Sequence, residues 1–292
     1  MRKIVFNSFD RQHWIENINH QRSRIHKNEL QEKEDIFIHF ARSLKIDELL
    51  PIHIVLLACF IHFLESYNYN VQIEGHNEIC EFLKEDVSLF KYFGKEQKAH
   101  VESPVFNVLN LWKIVNNQSQ GYSISLTNYF SKQYFQGLDL TGFKSSLDEI
   151  YINIDDHSQS NGNAFSYISY DETKRFIHIA ACDFGLGIPN TLRKVRTDFK
   201  DDVTALRNSL EIGVTARTHP HNRGFGLDNI ISNLSHGGTL RIVSNKALLF
   251  CEENKSNLDT YEIGFNFEGT LIYLDISIDA FEKTEYINDI AL

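Results

Sequence analysis

The chain is short of basic residues and of long apolar runs, and each shortage argues against a class of protein. Its 29 lysines and arginines are outnumbered by 39 aspartates and glutamates, so the net charge is −10. Such a balance disfavours broad binding to a nucleic-acid backbone. The longest apolar stretch, residues 52–64, is interrupted by His53 and His62 and is too short to span a bilayer. We therefore expect neither a membrane segment nor a nucleic-acid partner.

Cysteines are few and scattered. Cys59, Cys80, Cys182 and Cys251 form no Cys-x-x-Cys pair and no spacing typical of metal ligands. Because apolar residues flank them, we expect buried, reduced thiols rather than disulfides or metal ligands. The first residues also lack the apolar core of a signal peptide. These features predict a cytoplasmic protein.

What the chain does contain is the composition of a folded protein, with 42% hydrophobic residues. Residues 1–34 are polar and predict an N-terminal arm or helix. After them, strand and helix patterns alternate, which predicts a small α/β domain over residues 35–120. The polar segment 116–121 is the predicted linker to a second domain, residues 121–292.

A helix with two faces is predicted for residues 145–157. Glu149, Asn153 and Asp156 recur at helical spacing opposite an apolar stripe. The amide oxygen of Asn153 is a suitable ligand for Mg²⁺, which prefers hard oxygen donors. Glu149, one turn earlier, could orient or deprotonate a water or hydroxyl. A solvated amphipathic face is the alternative for this segment taken alone.

An apolar run at residues 175–182 predicts a central strand, and an acid with two glycines follows it. The carboxylate of Asp183 could accept a hydrogen bond from adenine, while Gly185 and Gly187 would let the backbone, including Ile188, approach the base. The triplet 183–185 also matches the magnesium-binding triplet of protein kinases. Those enzymes need a catalytic loop and a glycine-rich loop that this chain lacks. An ordinary turn is the second alternative.

Residues 188–223 are rich in cations, which suits the neutralisation of a triphosphate. Arg217 and Arg223 lie closest to the next glycines and are the predicted phosphate ligands. A charged, solvated helix surface is the alternative for the other cations.

A second glycine-rich segment then opens a predicted helix that runs to about residue 236. Free N–H groups at the start of a helix attract phosphate oxygens. A dinucleotide-binding fingerprint fits less well, because Asn229 stands where the third glycine belongs. The predicted nucleotide contacts in this segment are Gly224, Phe225, Gly226 and Leu227.

Gly269 and Thr270 begin the last apolar strand. Taken in order, the four segments resemble the ATP-binding domain of the GHKL superfamily, which includes gyrase, a heat-shock chaperone, histidine kinases and MutL-type proteins. The resemblance spans about residues 140–280. It implies ATP and Mg²⁺ as cofactors, adenine recognition by Asp183, and a hydroxyl from Thr270 on the base. It also implies an α/β fold of the Bergerat type, an α+β sandwich with a mixed, mostly antiparallel sheet.

The spacing of Glu149, Asn153 and His157 is most similar to the anti-sigma-factor kinases, and residues 50–74 resemble a STAS-type module. The resemblance implies an enzyme that hydrolyses ATP or transfers its γ-phosphate to a protein in bacterial signalling. No histidine has the context of a sensor kinase phosphoacceptor. An ATP-gated interaction module with little turnover is the alternative, as is a part of a defence or toxin–antitoxin system. A protein partner is expected, and a homodimer is left open.

Overall fold

The fold is of the α/β class, with helices packed against one parallel and one antiparallel sheet. The computed structural model describes residues 2–30, 32–93, 111–114, 118–157, 159–160, 162–196, 198–210, 226–234 and 237–284. The described strands are β1 (Arg2–Phe6), β2 (Glu34–Phe40), β3 (Tyr69–Gly75), β4 (Trp112–Lys113), β5 (Ala164–Asp171), β6 (Phe176–Asp183), β7 (Thr239–Glu252) and β8 (Leu258–Ser277). The described helices are α1 (Arg11–Arg24), α2 (Pro51–Ser66), α3 (Asn77–Glu85), α4 (Ser119–Gln133), α5 (Thr141–His157), α6 (Ile188–Arg193), α7 (Asp202–Asn208) and α8 (Gly226–Ser232).

Strands β1, β2 and β3 form a parallel sheet in that order. Residues 1–34, predicted as a polar arm or helix, contain helix α1 and also the edge strand β1. An arm does not describe this segment, because Trp14 and Ile18 are fully buried. The few large apolar residues in a polar stretch are enough to anchor it to the core.

The second sheet has the order β4-β5-β6-β8-β7, and every described pairing in it is antiparallel. Strand β6 is central, as its continuous apolar run predicts. Strand β4 pairs with β5, so this sheet begins before the predicted boundary at residue 120.

Helix α2 packs between the two sheets, in contact with β3 on one side and with β5 and β6 on the other. Its first eleven residues are all buried, including His53. Burial lowers the pKa of His53 to about 3, and its ring Nδ1 accepts from the Leu50 amide at 2.9 Å. A neutral histidine can therefore cap this apolar helix from inside the core.

Both faces of the antiparallel sheet are covered. Ala180 and Cys182 face α2 and the first sheet, whereas Ile179 and Ala181 face the layer that contains α4, α5 and α8. This alternation follows from the period of two along a strand. Asp183 continues the second series, so its side chain belongs to the α5 face.

The remaining sequence predictions can be compared directly with the described elements. Helix α5 spans the predicted segment 145–157, whereas α4 begins at Ser119, within the predicted linker. All four cysteines are buried and free, as expected. None of the helices in the described ranges combines the length and the apolarity needed to cross a membrane.

Candidate functional site

One pocket brings together residues from the end of β6, the interior of β8, the start of α6 and the C-terminal half of α5. The cavity is small, about 20 Å³, so a ligand larger than a water molecule would have to displace part of its lining. Five of the predicted contact residues line it, from positions 153 to 270 in the chain. Its lining consists of Asn153, Ile154, Asp183, Gly187, Ile188, Thr191, Thr270 and Ile272.

Asp183 is the buried acid of the pocket, with 1% of its surface exposed. The amide of Gly185 donates to its Oδ1 at 2.8 Å, and the amide and hydroxyl of Thr270 are further donors. Burial raises the pKa of Asp183 to about 7, against the opposing effect of these hydrogen bonds. A carboxylate has about four acceptor positions, so Asp183 can accept one more bond from a ligand.

Two glycines allow the loop after β6 to lie against the neighbouring strands. Gly187 has φ +82°, and a Cβ there would lie 2.5 Å from Asn245 Oδ1 and 2.8 Å from Ser244 Oγ. Gly269 has φ +131°, and a Cβ there would overlap the carbonyl oxygen of Asp183. Only glycine combines these backbone angles with this close approach.

Ser244 and Asn245 hold the same loop from β7, and the sequence predictions missed them. The Ile188 amide donates to Ser244 Oγ at 2.8 Å, and Asn245 Nδ2 donates to the Leu186 carbonyl at 3.0 Å. Asn245 has φ +51°, and the register between β7 and β8 shifts on both sides of it. Such a bulge re-aims side chains. The sequence signal that could have identified Ser244 and Asn245 is their position as adjacent polar residues within an apolar strand.

Helix α5 supplies the opposite side of the pocket. Asn153 and Glu149 lie one turn apart, and Asn153 Nδ2 donates to Glu149 Oε1 at 3.0 Å. This bond uses the amide nitrogen and directs the amide oxygen of Asn153 to other partners. Asp156 lies in the last turn of α5. Of the three side chains predicted for the polar face of α5, Glu149 and Asn153 are half-buried and joined by a hydrogen bond.

The other predicted contacts are described only in part. Gly226 and Leu227 are the first residues of α8. Arg217, Arg223, Gly224 and Phe225 lie outside the described residues. Among the cations expected to be solvated, Arg193 pairs with Asp202 at 2.6 Å and Arg196 with Asp198 at 2.7 Å.

The donor set fits the ligands that the sequence predicts. A buried carboxylate, a threonine hydroxyl and a glycine-walled loop suit the edge of an adenine base. For Mg²⁺, which usually takes one or two protein oxygens together with phosphates and waters, Asn153 offers an amide oxygen. Across the described ranges no three His, Cys, Asp or Glu side chains form a metal-binding group.

The close approach at Gly269 predicts that a larger residue there lowers the stability of the protein, and Gly264 in the same strand provides a control. Gly269→Ala should lower the free energy of unfolding by about 3 kcal/mol, because the alanine would be strained and would overlap Asp183. Gly264→Ala, also in β8, has open space around its Cβ and should change stability by less than about 0.5 kcal/mol. Urea unfolding of both variants measures the difference, and equal midpoints would contradict the prediction.

Neither a scan against protein-family models nor a search of curated proteins finds a match for this chain.

Proposed function

We propose that this chain binds ATP with Mg²⁺ in the pocket between α5 and the β6–α6 loop, and that it hydrolyses ATP or transfers its γ-phosphate to a protein. One observation carries the proposal. Residues chosen from separate motifs, among them Asn153, Asp183 and Thr270, line the same pocket. Chance placement of such motifs gives no reason for their side chains to meet.

The base would be read at the sheet end of the pocket. Asp183 accepts the hydrogen bond that the adenine amino group donates, and Thr270 presents a hydroxyl beside it on β8. The loop held by Ser244 and Asn245, which contains Gly185 and Gly187, would lie along the base. A layer of helices on one face of an antiparallel sheet is also the arrangement expected of a Bergerat-type domain.

The phosphates would lie toward α5. ATP supplies the phosphoryl group, and Mg²⁺ offsets its charge. The amide oxygen of Asn153 would be the protein ligand for the metal ion. Glu149, which accepts from Asn153 Nδ2 but is not itself among the residues that line the pocket, would orient the attacking water or hydroxyl. It would take the proton as the oxygen bonds to the γ-phosphorus and the bond from that phosphorus to the leaving ADP breaks.

Calorimetric titration of the full chain with ATP, in Mg²⁺ and in EDTA, tests this assignment. The parent should bind ATP more tightly in Mg²⁺. Asn153→Ala should lose about tenfold in affinity in Mg²⁺ and little in EDTA, because it removes the metal ligand. Asn257→Ala, at an exposed position, is the control. A parent that binds no ATP would refute the proposal, and full Mg²⁺ dependence in Asn153→Ala would refute the metal assignment.

A further inference from the structure

The side chain of Arg22 in α1 reaches the reverse face of the antiparallel sheet, directly behind the pocket. Its guanidinium carbon lies 3.7 Å from the centre of the Phe184 ring, and its Nη1 donates to the Glu268 carbonyl at 3.0 Å. The side chain is 9% exposed. This contact joins residues 246 positions apart in sequence.

The two residues that Arg22 contacts are next to the side chains that line the pocket. Phe184 follows Asp183 at the end of β6, and Glu268 stands two residues before Thr270 on β8. Asp183 and Thr270 are themselves paired across the two strands. Arg22 thus holds, from behind, the backbone that aims both polar groups into the pocket.

Stability alone gives little reason for a cation at this position. Burial lowers the pKa of Arg22, which means that its charged form is costly there. Its nearest carboxylate, on Glu268, is 3.9 Å away and 72% exposed, so this ion pair is weak. An apolar side chain would cover Phe184 with a smaller desolvation cost. The charge and the planar fork of Arg22 therefore point to a more specific task.

Helix α2 reinforces the same connection. Cys59 Sγ donates to the Cys182 carbonyl at 3.3 Å, and Asn163 Nδ2 donates to the Cys59 carbonyl at 3.1 Å. The Phe184 amide in turn donates to the Asn163 carbonyl at 3.1 Å. The backbone on both sides of Asp183 is thus tied to residues 2–30 and 32–93, which we call the N-terminal layer.

We propose that Arg22 is a positioning residue for nucleotide binding, through which the N-terminal layer sets the affinity of the pocket for ATP. This inference rests on the proposed function. It gives the first part of the chain a task in the same site. Because coupling between binding events is reciprocal, a partner that displaces α1 would weaken ATP binding, and ATP would oppose that displacement.

The charge of Arg22 provides a test that a purely structural role would not pass. Burial raises the pKa of Asp183, and Arg22 opposes that rise. Without the cation, Asp183 would stay protonated to higher pH and would lose its acceptor for the adenine amino group. The titratable and charged groups around Asp183 are Arg22 on α1, Cys59 on α2, Cys182 on β6 and Glu268 on β8, with Glu149 reaching Asn153 on the pocket side.

The experiment measures ATP affinity of the full chain by calorimetry between pH 6 and 8.5, with thermal melts to confirm folding. Arg22→Met should weaken ATP binding about tenfold at pH 7 and raise the pH midpoint of binding by about one unit. Arg22→Lys keeps the charge but not the planar stack, so it should lose about threefold in affinity with an unchanged midpoint. Arg24→Met, exposed on the same helix, should match the parent.

The outcomes separate the two proposals. If the parent binds no ATP, both the proposed function and the role of Arg22 are refuted. If the parent binds ATP and a folded Arg22→Met has the same affinity and midpoint, only the role of Arg22 is refuted. Should Arg22→Met not fold, Arg22→Lys decides, and parental affinity in that variant would overturn the proposal.

Discussion

Replacing Asp183 by asparagine should weaken ATP binding by about 10- to 100-fold and, at pH 8, make the ligand-free protein more stable. The loss of affinity follows from donor chemistry. The carboxylate accepts from the adenine amino group, whereas the amide of asparagine would set an N–H donor against that group or give up its bond with Gly185. The neutral amide has no charge to desolvate, which is the source of the gain in stability.

The gain in stability depends on pH in a defined direction. Burial raises the pKa of Asp183 from 3.8 to about 7 in the folded protein. The folded state therefore holds a proton that the unfolded chain releases, and the parent loses stability as the pH rises from about 4 to 7. Above pH 7 the full difference applies, about 4 kcal/mol for a shift of about 3 units. The free energy of unfolding of Asp183→Asn should not fall in this way as the pH rises.

Urea unfolding at pH 4.5 and pH 8, with ATP titrations at pH 8, measures both effects. The pH-dependent difference between the variant and the parent should be about 1 kcal/mol at the lower pH and about 4 kcal/mol at the higher one. Asp47→Asn, at an exposed position, should change neither quantity. Unchanged ATP affinity in Asp183→Asn would remove the adenine assignment, and an equal free energy of unfolding at pH 8 would show that the acid is not desolvated as described.

Glu149→Gln should keep ATP affinity within about twofold of the parent and lower phosphate release or transfer by about 100- to 1,000-fold. Glutamine has the same shape and still accepts from Asn153 Nδ2, so the pocket is preserved. It cannot take a proton from water or from a hydroxyl. This variant should therefore bind ATP as the parent does but release or transfer phosphate much more slowly.

The measurement is phosphate release from labelled ATP, repeated with a candidate protein partner to detect transfer. Asp148→Asn is a matched control on α5, because Asp148 pairs with Lys144 at 2.6 Å, whereas Glu149 bonds to the pocket residue Asn153. If Glu149→Gln and the parent both turned over no faster than buffer, the ATP-gated interaction module would replace the enzyme as the better proposal.

The elements around the pocket were predictable because their patterns are local. A run of apolar residues ending in Asp183 predicts a buried strand with an acid at its tip, and β6 is that strand. The spacing of Glu149 and Asn153 places them on one helix face, and their hydrogen bond follows from that spacing. Neither inference needs knowledge of what lies on the other side of the sheet.

The residues that hold the pocket in place could not be predicted from local patterns in the same way. Ser244 and Asn245 act through a bulge that shifts the register of β7 against β8, and nothing within β7 alone determines where its partner slips. Residues 1–34 are predicted to be a polar arm or helix, and α1 is such a helix, but their composition does not show that it carries Arg22 to the back of the pocket. A polar composition does not reveal that seven buried apolar residues anchor this segment in the core.

The order of motifs, the periodicity of α5 and the apolar run of β6 determined from sequence alone which side chains were candidates for a nucleotide site. Tertiary structure decided that Asn153 and Thr270 share one pocket with Asp183, that burial gives this acid a pKa of about 7, and that the N-terminal layer covers the reverse face of its sheet. The reason is physical. Periodicity is set by neighbouring residues, whereas burial and charge depend on distant segments that only folding brings into contact.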